Sequence, residues 1–301
     1  MTDKALKTVS LVLGSGGARG LAHIGVIDWL SERGYRIESI AGSSMGALIG
    51  GIYAAGQLET YKQWVSALHK TDVIRFLDFA FSPGGLFKGD RIMDTLRSMV
   101  GEHAIEQLPV DYTAVATDIE RQREVWITEG PLFDAIRASI AVPSIFTPHE
   151  YLGMKLVDGG LLNPVPIAPT FKDFTDLTIA VNLNGGARLR SIGKEAGTET
   201  EAVADADAGY RNSIAQFLDT IQDSMRRPAT SDVNLFELLN RCFETMQKAV
   251  SALKLAAYAP DIVIDVPQDA CASYEFYRAK EIIELGYRCA EVAIQHRARG
   301  D

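Results

Sequence analysis

The feature that most constrains this chain is the order of local signals in its first 56 residues. The apolar run TVSLVLG (8–14) ends in glycine, as a strand buried in a parallel sheet would. It opens into GSGGARG, after which Leu21, Ile24, Ile27 and Leu30 recur at helical spacing until Gly34 stops the helix. A second strand, YRIESIAG, runs into SMGALIGGIYAAG, a helix whose small residues imply close packing. Strand, glycine turn, helix, strand, turn and helix in that order require a right-handed crossover and a parallel sheet. The expected fold class is α/β with a central, mainly parallel sheet.

The remaining signals extend this pattern. Residues 59–101 read as helical, interrupted by FLDFAFSPGGLFKGD. DYTAVATD (111–118) and REVWITEG (123–130) read as strands, and PLFDAIRASIAVP (131–143) as a helix that ends before Pro143. HEYLGMKLVDGG (149–160) has the form of a hairpin turning at Gly153, and DLTIAVNLN (176–184) of another buried strand. From 186 to 208 large apolar residues are scarce, which predicts a mobile loop or linker. Two apolar stripes follow, one from Ile214 to Met225 and one through Phe236, Leu239, Phe243, Met246, Val250 and Leu253. Core packing is the expected use of both, with a lid or a homodimer face as the alternatives. PDIVIDVP (260–267) predicts one more strand and 273–297 a closing helix. The expected organisation is an α/β core over 1–185, a linker over 186–208, and a helical part over 209–301 that adds one strand to the core.

A net charge of −9 argues against a partner with a phosphate backbone, so no nucleic acid is expected. The three cysteines, Cys242, Cys271 and Cys289, are scattered and form no metal-binding pattern. Reduced thiols in a cytoplasmic protein are expected, with no metal and no cofactor. No run of eighteen apolar residues exists, so membrane contact is expected to be peripheral.

Three motifs carry chemistry. GSGGARG (14–20) is a glycine-rich turn at a helix N-terminus, where free amides suit a negative oxygen. As a dinucleotide-binding fingerprint it is out of frame, since Arg19 holds the third glycine's place and Gly20 arrives one residue late; Glu38 would be the ribose-binding acid. As an oxyanion hole it would offer the amides of Gly16 and Gly17. A turn that merely needs glycine is the third reading. GSSMG (42–46) sits at a strand end and leads into a helix, the context of a nucleophile elbow. Ser44 is then the nucleophile, Ser43 the weaker candidate, and the Met45 amide a further oxyanion donor. Sheet topology should put both turns at one edge, outside the carboxyl ends of adjacent strands. A base is harder to find. Of five histidines, His296 lies in a polar tail, His23 on the first helix and His149 on a hairpin flank. Asp158, in VDGG, is the better candidate, although an Asp-Gly pair is also a common turn.

GSGGARG, GSSMG and DGG, in that order, resemble the patatin-like phospholipases, with VATD (115–118), ASIAVPSIFTP (138–148) and GGLLNPVP (159–166) in further agreement. The resemblance spans residues 8 to about 185. It implies a three-layer α/β/α sandwich and a lipid acyl hydrolase working through a Ser-Asp dyad without histidine. Carried onto this chain, Ser44 is the nucleophile, Asp158 the base, and Gly16, Gly17 and Ala18 the oxyanion loop. Arg19 would orient that loop or touch a lipid phosphate. The implied substrate is a phospholipid or lysophospholipid ester. A general carboxylesterase or thioesterase and a non-catalytic lipid-binding regulator are the rival readings. The aromatic stretch 74–87, with Phe76, Phe79, Phe81 and Phe87, is core, an acyl-chain wall or a loop that dips into lipid.

Overall fold

A computed structural model of the chain describes residues 7–76, 89–143, 145–186 and 235–299. Two compact units divide it, Met1–Arg188 with Phe243–Asp301, and Leu189–Cys242. Of the second unit only 235–242 are described, as the opening turns of a helix. The expected linker beyond Gly186, the stripe from Ile214 to Met225 and nearly all of the aromatic stretch 74–87 lie outside the described residues.

Five parallel strands form the middle of the sheet: β1 (Thr8–Leu13), β2 (Arg36–Ser43), β3 (Asp111–Asp118), β7 (Leu177–Gly185) and β8 (Ile262–Pro267), in the order β3-β2-β1-β7-β8. Their runs of Val, Ile and Leu are apolar on both faces because helices cover both faces. Three antiparallel strands complete the eight among the described residues. They are β4 (Arg123–Ile127) and β6 (Met154–Asp158), both paired with β3, and β5 (His149–Tyr151), hairpinned to β6. Around them lie α1 (Ala22–Glu32), α2 (Met45–Ala54), α3 (Leu58–Ser66), α4 (Lys70–Phe76), α5 (Asp90–Val100), α6 (Leu132–Ser139), α7 (Leu235–Tyr258) and α8 (Ala279–Arg299). The fold is an α/β sandwich with a mainly parallel sheet.

Register fixes what matters next. Leu13 of β1 pairs with Gly42 of β2, and Ser43 of β2 with Val115 of β3. One residue further along β3, Ala116 pairs with Asp158 of β6. The strand ends that carry the glycine turn, the serine and the aspartate are therefore neighbours by backbone pairing alone.

One expectation is corrected. Of the second stripe Phe243 and Val250 are half-buried, but Leu239, Met246 and Leu253 are exposed, Leu253 by 69%, so it is not a core face. The buried face of α7 is polar where it crosses the strand ends, through Gln247 and Ser251. Only towards its C-terminus does it become apolar, with Leu255 and Tyr258 packed on Val12, Val165, Ile167 and Ala180. Polar groups at the loop ends need partners, and the helix supplies them at the expense of its apolar stripe. Met246→Glu and Leu253→Glu should therefore each leave stability within about 0.5 kcal/mol of the parent in urea denaturation, where a buried stripe would lose several times that.

Candidate active site

Ser44 lies between β2 and α2 with φ 54° and ψ −121°, a strained conformation for a residue with a side chain. The flanking glycines make the turn sterically feasible. A Cβ on Gly46 would collide with the Leu13 carbonyl, and one on Gly42 with the backbone of Gly46 and Ala47. The Ser44 amide donates to Ser139 Oγ at 2.9 Å, and the Ser139 hydroxyl in turn donates to the Val115 carbonyl at 2.6 Å. Ser139, at the end of α6, thus ties the elbow to β3. Its segment belongs to the resemblance, but nothing in its spacing singled out that hydroxyl.

Asp158 is fully buried and held from several directions. Its amide donates to the Ala141 carbonyl at 3.0 Å, its carbonyl accepts from Thr117 Oγ1 at 3.1 Å, and its Oδ1 accepts from the Gly160 amide at 2.7 Å. Oδ2 has no hydrogen-bond partner among the described residues. Burial pushes the carboxyl up to about 7, opposed by the nearby Ser44 hydroxyl and the Gly160 amide. The serine is thus near the acid without a hydrogen bond of normal geometry. Gly159 lets the acid approach, since a Cβ there would strike the Val115 carbonyl and Ser43 Oγ. Ser43 itself is buried with its hydroxyl unpartnered among the described residues.

The glycine loop leaves β1 beside the elbow and passes through a 3-10 turn, Gly17–Leu21, before α1. Gly20 lies against Met45. Gly17 and Met45 are the first residues of their helical turns, so their amides have no acceptor within them. Ala18 departs from expectation. Its amide donates to the Ser273 carbonyl at 2.9 Å, because the segment before α8 lies on the loop. Arg19 is buried and directed inwards: Nε donates to Gly16 O at 3.1 Å and Nη1 to Gln268 O at 2.8 Å, while Nη2 reaches Glu244 at 3.3 Å. These contacts tie the loop to Gln268 and to Glu244.

The histidines go elsewhere. His23 is buried with Nε2 2.8 Å from the Gly14 carbonyl, and burial lowers its pKa to about 4, so its neutral ring donates to the loop. His149 Nε2 lies 3.9 Å from Asp134, and His296 is exposed on α8. Asp158 and Ser44 thus lie near one another, and among the described residues no histidine is hydrogen-bonded to either.

Residues 11–171 match the family model described as patatin-like phospholipase. The chain belongs to the patatin-like phospholipase family. It is 38% identical to an uncharacterized NTE family protein of Mycobacterium bovis, over 95% of this chain and 91% of that one. It is 28% identical to the lysophospholipase NTE1 of Coccidioides immitis over 94% of this chain but 17% of that one. Among solved structures, VipD of Legionella pneumophila aligns with a TM-score of 0.46 and 14% identity, over 95% of this chain and 66% of that one. No described helix of this patatin-like chain is long and apolar enough to cross a membrane.

The buried acid has a thermodynamic signature. With a folded pKa near 7 against about 3.9 unfolded, the native state holds an extra proton between those values, so stability falls as pH rises from 4 to 7 and then levels. Asp158→Asn removes that loss. In denaturant titrations its advantage over the parent should grow across this window, by up to roughly 4 kcal/mol at pH 8; curves that stay parallel would contradict the raised pKa.

Proposed function

We propose that this chain is a serine acyl hydrolase that cleaves fatty-acyl esters of phospholipids or lysophospholipids, with Ser44 as nucleophile and Asp158 as its base. The observation that carries the reading is the unpartnered Oδ2 of a fully buried Asp158 beside a serine on a strained turn. Family membership supports the reaction class, and the lysophospholipase among the relatives supports the substrate class.

In this reading Ser44 Oγ attacks the ester carbonyl while its proton passes to Asp158 Oδ2. An ordinary aspartate is a weak base at neutral pH; a pKa near 7 brings it close to the value at which a general base works best. The oxyanion accepts hydrogen bonds from the amides of Gly16, Gly17 and Met45, helped by the N-terminus of α2. Collapse expels the alcohol, which takes the proton from Asp158. The same carboxylate then draws a proton from water, and the hydroxide equivalent releases the fatty acid and restores Ser44. Arg19 serves by holding the Gly16 carbonyl, and so the loop, in place.

A fluorophosphonate probe should label the parent, His149→Ala and His296→Ala alike, and should fail on Ser44→Ala. Labelling lost with either histidine would replace the dyad by a triad. The rate constant kcat/KM on a soluble ester should fall about tenfold per pH unit below pH 7, as the base becomes protonated. Mass spectrometry of products from a defined phospholipid panel tests the substrate class, and turnover confined to short or CoA-linked acyl esters would move the assignment to a carboxylesterase or thioesterase.

A further inference from the structure

The matched family region ends at residue 171, yet α7, more than sixty residues beyond it, reaches into the site. Four of its side chains, Glu244, Gln247, Ser251 and Lys254, recur at helical spacing along one face. Glu244 pairs with Arg19 of the glycine loop at 3.3 Å. Ser251 accepts from Asn184 Nδ2, at the end of β7, at 3.2 Å. Lys254 reaches Glu124 of β4 at 3.3 Å, and Glu124 also holds Asn163, in the segment that follows the DGG turn, at 2.5 Å. Between them sits Gln247, 3% exposed, whose Nε2 donates to Ser15 Oγ at 2.8 Å. The same carboxamide and Ser15 Oγ line the space at Gly160, where a Cβ would strike both. Gly160 is the residue whose amide holds Asp158 Oδ1.

We propose that Gln247 is a positioning residue for the hydrolysis, fixing the glycine loop and the base turn at the spacing the reaction needs. The inference rests on the reading of Ser44, Asp158 and the glycine loop given above. Ser15 lies one residue before Gly16, and its amide is already committed to the Pro164 carbonyl at 2.8 Å. Its hydroxyl is thus the handle by which α7 can set the loop. Gln247 touches no reacting atom. Its effect is geometric: if the contact is lost, the oxyanion donors and the base can drift apart by fractions of an ångström, and misplacement on the 1 Å scale is enough to lower a rate by up to ~10²-fold.

The test compares the parent, Gln247→Met, Ser15→Ala and the double variant. Gln247→Met keeps the length and bulk of the side chain and removes its donor. The readouts are the saturation kinetics of fluorophosphonate labelling at Ser44 and kcat and KM on a soluble ester, with thermal unfolding in parallel. Each single variant should lower the limiting labelling rate and kcat about tenfold or more, with KM and probe affinity within about twofold of the parent. The double variant should be no slower than the slower single one, because both changes break one bond. Met246→Ala, on the exposed side of the same turn, should label at the parental rate. A parental rate in Ser15→Ala would overturn the proposal even if Gln247→Met did not fold; where it folds, a parental rate in it or losses that multiply in the double variant would do so too. If the parent itself failed to label, the hydrolase reading would fall instead, and the two failures are told apart by that control.

Discussion

The carboxyl end of β3 is the point on which the site depends, because one carbonyl there brings the chemical groups together. Val115 O accepts the Ser139 hydroxyl, and Ser139 Oγ accepts the Ser44 amide. Gly159 packs against that same carbonyl. Ser44 and Asp158 therefore take their positions from one reference, in a sheet whose register already makes their strands neighbours. A side chain at 159 would push the acid away from the strand, and a side chain at 46 would push the elbow off β1. The glycines are steric conditions for three backbones meeting, and the strain at Ser44 persists because hydrogen bonds and packing fix both sides of it.

The same enclosure sets stability against chemistry. A buried ionised carboxylate with one oxygen unpartnered among the described residues is costly, so Asp158 favours its neutral form up to about pH 7. A carboxylate with a full set of donors would be easier to bury and would ionise at lower pH. The Gly160 amide supplies one hydrogen bond, enough to orient the group while leaving the other oxygen free. His23 shows the converse arrangement: buried and neutral, it spends its proton on the Gly14 carbonyl and braces the loop.

How much of this was legible in the sequence follows from the range over which each signal acts. The βαβ order and the two glycine motifs are local, and the strands at 8–13, 36–43 and 111–118 formed where apolar runs and turns indicated. Ser44 and Asp158 were legible because their flanking glycines record a close approach. Ser139 left no such mark, since a serine near a helix end has many uses and its partners lie 95 and 24 residues away. The engagement of Ala18 by Ser273 was hidden for the same reason, being a contact across the whole fold.

The misread helix is the most instructive case. Periodicity identifies a helix face, and the step from apolar face to buried face assumes that what the helix covers is itself apolar. Over β1 and β7 that assumption holds, and Leu255 and Tyr258, which lie off the stripe, pack there. Over the strand ends the covered surface consists of loop groups such as Ser15 Oγ and the Asn184 amide, together with the Arg19 guanidinium. Desolvating these without partners would cost more than the burial of Met246 or Leu253 returns. The helix therefore turns Glu244, Gln247 and Ser251 inwards and leaves Leu239, Met246 and Leu253 of its apolar stripe outside. Polarity on the buried side of α7 is the imprint of the loops beneath it, which is why the segment with no recognisable motif bears directly on the site.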